Sequence, residues 1–113
     1  MDNFYTLNDD GSTASCDAKE WERIILSDKK VISLAIGKEH VISTVFIGID
    51  HNFSGVGRPI LFESMVFGRQ EWSHAEDGIT ALDQERYATL DEAKAGHKRL
   101  VAEWIKDGEI AND

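Results

Sequence analysis

His40 to Gly68 reads HVISTVFIGIDHNFSGVGRPILFESMVFG, two apolar segments joined by a polar loop that contains glycines. Successive side chains of a strand point to opposite faces, and in the first segment, His40 to Ile49, both faces are largely apolar. The second segment, Pro59 to Phe67, has the same property, and Pro59 suits the first position of a strand because it cannot donate a ladder hydrogen bond. The pattern predicts two central strands that are at least partly covered on both sides.

The residues before this pair predict a short strand, a helix and a further strand. A strand is expected at Asn3 to Leu7, followed by a turn whose Asp-Gly step suits a positive φ. Asp17, followed three residues later by Glu20, resembles a capping box and predicts a helix from about Ala18 to Leu26. The apolar, β-branched segment Val31 to Ile36 predicts a strand. Gly37-Lys38 then predicts a type II' hairpin turn into the next strand.

The residues after the pair predict a long connection, a short strand and a second helix. Arg69 to Gln84 is polar and acidic, and its length is typical of a flexible or functional loop or of a connection that contains a short helix. A strand is expected at Glu85 to Ala88, and a capping box of Thr89 and Glu92 predicts a helix from Leu90 to about Lys106. Its apolar stripe includes a histidine and consists of Ala93, His97, Leu100, Val101 and Trp104. Gly96 is expected to let this helix approach the sheet closely.

Together these elements predict an α+β fold, an antiparallel sheet of about four strands packed against two α-helices on one face. A chain of 113 residues is within the usual size of one domain, so residues 1–113 are expected to form a single domain. The predicted strands of the sheet are Val31 to Ile36, His40 to Ile49, Pro59 to Phe67 and Glu85 to Ala88.

The charge balance restricts the class of partner. Twelve basic and 21 acidic residues give a net charge of −9, which opposes direct nucleic-acid binding because phosphate contacts need clustered Lys and Arg. An acidic surface favours basic partners or mimicry of a polyanion, and its simplest interpretation is solubility alone. Cys16 is the only cysteine, so no internal disulfide forms. No apolar run reaches the length of a membrane span, and a cytoplasmic protein without membrane contact is expected.

The loop between the central segments holds the first candidate site. It carries a carboxylate, an imidazole, an amide and a guanidinium beside its glycines, at Asp50, His51, Asn52 and Arg58. Backbone donors of such a loop and the fork of Arg58 favour a small anionic ligand or an acidic partner segment. The alternative interpretation is a hairpin loop in which Asp50 and Asn52 bond to the backbone. It is not a phosphate loop, since it has neither GxxxxGK[ST] nor GxGxxG.

Glu63 and two aromatic residues are the other candidates for a binding role. Glu63 lies in the middle of an apolar strand, so its carboxylate must be paired, hydrogen-bonded or neutralised. We expect it to be at least half buried, with its partner among Arg58, Arg86, Tyr87 and His97. Trp72 and His74 lie on the acidic connection and are candidates for contact with a partner protein.

Metal and enzyme chemistry have weaker support in the sequence. The four histidines lack the paired short spacing of zinc sites, and no motif activates a serine or threonine as a nucleophile. We therefore expect no metal ligands, no catalytic residues and no cofactor. The alternative is a small hydrolase or metal-dependent enzyme that uses Asp50, His51 and Glu63.

Three segments carry a resemblance to a known family: ISTVFIGIDHNF, PILFESMVFG and ERYATLDEAKAGH. Together they resemble a family of small uncharacterised proteins of bacteriophages, prophages and bacterial genomes, over roughly Val41 to His97. The connection Arg69 to Gln84 is longer than in that family, and Arg58 replaces a smaller residue. The resemblance implies a phage-encoded protein in the bacterial cytoplasm that binds a host or defence component, and a homo-oligomer is an open alternative to a monomer.

Overall fold

The computed structural model describes residues 4–52, 54, 56–69, 72 and 81–105. The strands are β1 (Tyr5–Leu7), β2 (Thr13–Ser15), β3 (Val31–Ile36), β4 (His40–Phe46), β5 (Phe62–Gly68) and β6 (Asp83–Tyr87). The helices are α1 (Ala18–Ile25) and α2 (Leu90–Trp104), and a 3₁₀ turn at Asp28–Lys30 precedes β3. Within this described part, no helix is long and apolar enough to cross a membrane.

The main sheet is antiparallel and has the strand order β3-β4-β5-β6, which confirms the predicted α+β class. Each strand pairs with the next strand in the chain, so the sheet contains no crossover connection. The register places Thr44 opposite Ser64 on one face, and Val45 opposite Glu63 on the other. Glu63 is in turn opposite Arg86 of the edge strand β6.

Both helices cover the same face of this sheet, as predicted. Ile24 of α1 and Ala93 of α2 are in one buried cluster with Phe46 and Phe62, and Leu100 of α2 is in a second with Ile42. On the opposite face Val41 and Phe67 are also buried, so the central strands are covered in part on both sides. This double burial is why neither strand shows the alternation of a half-exposed strand.

α2 is fixed at its start by local chemistry and in its middle by the sheet. The capping box is formed: the Thr89 hydroxyl accepts from the amide of Glu92, and the Glu92 carboxylate accepts from the amide of Thr89. At Gly96 an added Cβ would overlap the phenol ring of Tyr87. Glycine therefore provides the close approach between helix and sheet that was expected at this position.

A second, two-stranded sheet joins the N-terminus to the end of β4. β1 pairs with β2, which was not predicted, and Phe4 forms an isolated bridge with Ile49. The expected positive φ occurs at Gly11, at +90°. Asp17 caps α1 by accepting from the amide of Glu20, at 2.9 Å. α1 is attached to the β4 segment because the indole Nε1 of Trp21 donates to the carbonyl of Ile47, at 3.0 Å.

The hairpin between β3 and β4 is confirmed, but its predicted turn type is wrong. Gly37 does not have the positive φ that a type II' turn requires in its first central position. The amide of Gly37 donates to the carbonyl of His40, so Lys38 and Glu39 occupy the centre of the loop. Arg69 stabilises this arrangement, with Nη1 on the carbonyl of Gly37 and its amide on the carbonyl of Glu39.

The boundaries of three strands of the main sheet also differ from the sequence prediction. β4 ends at Phe46 and β5 begins at Phe62, although the amides of Ile47 and Gly48 still donate to the carbonyl of Leu61. Gly48 has a φ of +69°, and this left-handed conformation interrupts the regular ladder. β6 spans Asp83–Tyr87 and begins two residues before its predicted start. Most of the connection Arg69 to Gln84 lies outside the described residues.

Candidate functional site

An open groove of about 530 Å³ lies beside the first half of α2. Its walls carry Arg58 from the segment before β5, and Glu92 and Arg99 from α2. Its floor contains the small or apolar residues Ile60, Ala88 and Ala95, together with Tyr87 at the end of β6. Three parts of the chain that are remote in sequence therefore meet in one concave surface.

Arg58 is held at the groove by Glu92, in the first turn of α2. Its Nη2 lies 2.9 Å from Oε2 of Glu92, and 65% of the Arg58 side chain is exposed. The other carboxylate oxygen, Oε1, accepts from the amides of Ala88 and Thr89. The hydrogen bond from Arg58 and the two backbone hydrogen bonds lower the pKa of Glu92, so this carboxylate stays ionised. One residue thus caps the helix and positions a guanidinium.

Arg99 is held by Glu85 of β6, through a hydrogen bond between Nη2 and Oε1. The same Oε1 accepts from the phenol of Tyr87 at 3.0 Å. Burial is the largest cause of the raised pKa of Tyr87, which keeps the phenol protonated and able to donate. Arg99 remains 55% exposed, so much of its guanidinium faces water.

Helical periodicity brings the groove-lining residues of α2 to one face. Glu92, Ala95 and Arg99 are separated by three and four residues, which is the spacing of neighbours along a helix surface. A small side chain at Ala95 leaves the space between the two charged residues open. The helix therefore supplies both a wall and part of the floor.

The charge of the groove differs from that of the chain. Three of the five arginines line it, although the net charge of the chain is −9. The guanidinium of Arg86 is bonded to Glu63 through Nε at 2.9 Å, so its charge is already paired. Arg86 lies opposite Glu63 in the sheet, on the face away from α2. Arg58 and Arg99 are paired with carboxylates on the α2 side, and each uses one nitrogen in its described bond and keeps further N–H donors for a ligand.

A buried polar band lies between α2 and the sheet, next to the groove. The hydroxyls of Thr44 and Ser64 are 2.5 Å apart, and Nδ1 of His97 is 2.8 Å from the Thr44 hydroxyl. The phenol of Tyr87 lies 3.1 Å from the Ser64 hydroxyl and joins the band to the groove floor. Thr44 and Ser64 are fully buried, and His97 is 7% exposed. A ligand in bulk water cannot reach these hydroxyls without opening the core.

Glu63 has the predicted environment. It is 7% exposed, and its Oε2 accepts from Nε of Arg86 at 2.9 Å, so the expectation of burial with a basic partner is confirmed. Its position opposite Val45 places it on the sheet face away from α2. Arg86, which is among the groove-lining residues, connects Glu63 to the groove.

The predicted loop residues divide into two groups. Oδ1 of Asp50 accepts from the amides of Asn52 and Ile60, and the amide nitrogen of Asn52 donates to the carbonyls of Val56 and Arg58. These side chains stabilise the loop, as the alternative interpretation expected. Arg58 projects into the groove instead. The loop thus positions one ligand-binding candidate and uses its other polar groups internally.

His51 and Trp72 are not among the described residues that line the groove. Nδ1 of His51 donates to the carbonyl of Ile49 at 2.7 Å, which assigns the proton to Nδ1 in this structure. Trp72 is 37% exposed. His74 lies outside the described residues. Across the part of the chain that the structure describes, no three His, Cys, Asp or Glu side chains are grouped so that they could hold a metal ion.

Sequence reasoning did not identify Tyr87, Glu92 and Arg99 as one site. Glu92 was assigned to the capping box, and Tyr87 was considered only as a partner for Glu63. The sequence feature that indicates this site is the spacing of Glu92, Ala95 and Arg99, which places two charges and a small residue on one helical face. The contact between this helical face and Arg58 depends on tertiary structure.

Comparison with known proteins finds no matching family model, no similar curated protein and no similar solved structure.

Proposed function

We propose that the protein binds a small anion, with a carboxylate or phosphate group, in the groove beside α2. The observation that carries this proposal is the convergence of Arg58 and Arg99 on one cavity of an otherwise acidic chain. Guanidinium groups donate paired N–H bonds that match the geometry of carboxylate and phosphate oxygens. Arg58 has the anion-binding role that was expected from the sequence. Its second cationic partner in this proposal is Arg99, in place of the His51 of the loop.

The neighbouring carboxylates prepare the arginines for binding. Glu92 and Glu85 each accept a hydrogen bond from one guanidinium, which restricts the rotamers of Arg58 and Arg99 before a ligand arrives. A ligand that adds its oxygens to the unused N–H donors does not have to break these pairs. Both arginines are more than half exposed, so the desolvation cost of binding is modest.

The biological setting rests on the resemblance to small phage and bacterial proteins. A phage-encoded binding protein would act in the bacterial cytoplasm, on a metabolite or on a host or defence protein. An acidic side chain of such a partner presents the same oxygen atoms as a small carboxylate, so the two guanidiniums would recognise it by the same chemistry.

The hydrolase alternative has less support from the geometry. It required Asp50, His51 and Glu63 to act together. The described bonds of Asp50 and of His51 Nδ1 are to backbone groups, and Glu63 is bonded to Arg86. None of the three lines the groove. Anion binding at Arg58 and Arg99 is therefore the function that the geometry favours.

Calorimetric titration with inorganic phosphate and with citrate tests the proposal. We expect wild-type binding of both anions at low ionic strength. The affinity for citrate, which carries several carboxylates, should fall about tenfold or more in Arg58→Ala and in Arg99→Ala, since each removes charge-assisted hydrogen bonds. Arg23→Ala is the matched control, because Arg23 is an exposed arginine in an ion pair with Glu20 on α1. If the three variants have equal affinity in the folded state, the groove is not the site.

A further inference from the structure

We infer that the ligand class of the groove is a dianion with two anionic groups separated by an uncharged spacer. This inference rests on the proposed function and specifies it. Three arginines line the groove, but the guanidinium of Arg86 is bonded to Glu63 on the sheet face away from α2. The other two are each fixed by a carboxylate on the α2 side, Arg58 by Glu92 and Arg99 by Glu85. The two positive charges are consequently held apart and do not collapse onto a single small anion.

The helix sets the scale of this separation. Arg58 is bonded to Glu92, and Arg99 follows Glu92 by seven residues on the same face of α2. Seven residues correspond to a rise of about 10 Å at ~1.5 Å per residue. A phosphate or carboxylate spans only a few ångströms, so one such group contacts one guanidinium well and leaves the other in water.

The surface between the two arginines suits an uncharged spacer. Ala88, Ala95 and Ile60 contribute small or apolar surface to this part of the groove. A methylene chain lying on them would remove apolar surface from water without leaving a buried polar group unpaired. The Tyr87 hydroxyl, which is bonded to Ser64 and Glu85, is already supplied with partners.

Two anionic groups on one spacer also have an entropic advantage. Once the first group is bound, the second is confined near its guanidinium at a high effective concentration, so its binding adds affinity at little further cost. This advantage requires both arginines in the same protein molecule. Removal of either one should reduce a dianion to the affinity of a monoanion.

The test compares adipate and suberate, which are linear dianions, with hexanoate, a monoanion of the same carbon count as adipate. We expect both dianions to bind wild-type protein about tenfold or more tightly than hexanoate. Arg58→Ala and Arg99→Ala should each abolish most of this preference, and the double variant should lose little more. Arg23→Ala should keep the preference, which separates a two-ended site from general attraction to positive charge.

The outcomes distinguish this inference from the proposed function. Equal affinity for adipate, suberate and hexanoate, with binding still dependent on Arg58 and Arg99, would overturn the dianion and leave anion binding intact. A dianion preference that Arg23→Ala reduces as much as Arg58→Ala would also overturn it. No binding of any of the three anions would reject the proposed function itself. Circular dichroism of each variant confirms that the comparison is made between folded proteins.

Discussion

The two polar regions beside α2 share Tyr87 but differ in nearly every physical respect. The buried polar band of Thr44, Ser64 and His97 lies under the helix, where its members are at most 7% exposed. The arginine groove lies beside the helix, and its guanidiniums are more than half exposed. The polar groups of the band are hydrogen-bonded to one another inside the protein. The guanidiniums of the groove have N–H donors that are exposed to water.

This difference separates stability from binding. A buried hydroxyl that loses its partner keeps the full cost of desolvation, so changes in the band should reduce the free energy of unfolding. An exposed ion pair contributes little to folding, since water and salt compensate for its loss. Changes in the groove should therefore reduce ligand affinity and leave the fold nearly as stable.

Gly96→Ala should have the largest effect on stability. The added methyl group would overlap the Tyr87 ring, which is fixed by its bonds to Ser64 and Glu85. We expect a loss of about 3 kcal/mol in the free energy of unfolding, from overpacking, measured by urea denaturation. Alanine normally stabilises a helix relative to glycine, so an unchanged or more stable Gly96→Ala protein would show that α2 does not approach the sheet this closely.

Thr44→Val should remove the central hydroxyl of the band while keeping its shape. The Ser64 hydroxyl would lose its partner at 2.5 Å, and Nδ1 of His97 would lose its partner at 2.8 Å. We expect the free energy of unfolding to fall by about 2 kcal/mol. Thr44→Ser keeps the hydroxyl and is the matched control for chemistry at this position. The account would fail here if the valine variant unfolds at the same urea concentration as the wild type.

Glu63 tests the polar pair on the opposite face of the sheet. Glu63→Gln keeps an oxygen that can accept from Arg86, whereas Glu63→Leu does not, so the leucine variant should be less stable. The Arg86 side chain is 41% exposed, so water can hydrate it when it is unpaired. We therefore expect the free energy of unfolding of the leucine variant to fall by only about 1 kcal/mol. Thermal denaturation checks the order of the variants. A leucine variant as stable as the wild type would show that the pair contributes nothing.

Arg58→Ala should have the smallest effect and should act on one pKa. The hydrogen bond from Arg58 is the largest cause of the lowered pKa of Glu92, so this pKa should rise toward its ordinary value. A lowered folded-state pKa stabilises the fold above the unfolded-state pKa, and this contribution is lost as the pH falls through the folded-state pKa. The difference in the free energy of unfolding between the wild type and Arg58→Ala should therefore disappear in acid. Carboxyl ¹³C titration by NMR measures the pKa, and an unchanged value would contradict the pairing.

Local features of the fold could be predicted from the sequence because their causes are local. The capping box of Thr89 and Glu92 and the positive φ of Gly11 each depend on a few adjacent residues. The burial of Glu63 followed from the apolar strand around it. β2 was missed because Thr13-Ala14-Ser15 has no apolar alternation, and its strand conformation comes from pairing with β1.

The candidate site could be predicted only in part, because its geometry is tertiary. Arg58 was identified from its loop, but its contact with Glu92 joins residues 34 positions apart. Asp50 and Asn52 have the side chains of ligands and of loop-stabilising residues alike, and only the folded loop shows which backbone groups they bond. The pairing of Arg99 with Glu85 likewise requires α2 to lie against β6.

If the groove binds anions and the buried band does not, the arginine side chains of the groove should respond to an anion. The five arginine Nε–H signals of ¹⁵N-labelled protein can be followed by NMR during titration with inorganic phosphate. We predict saturable shifts for Arg58 and Arg99, little change for Arg23 and Arg69, and no change at the His97 ring. Equal shifts of all five arginines, or shifts confined to residues outside the groove, would contradict the account.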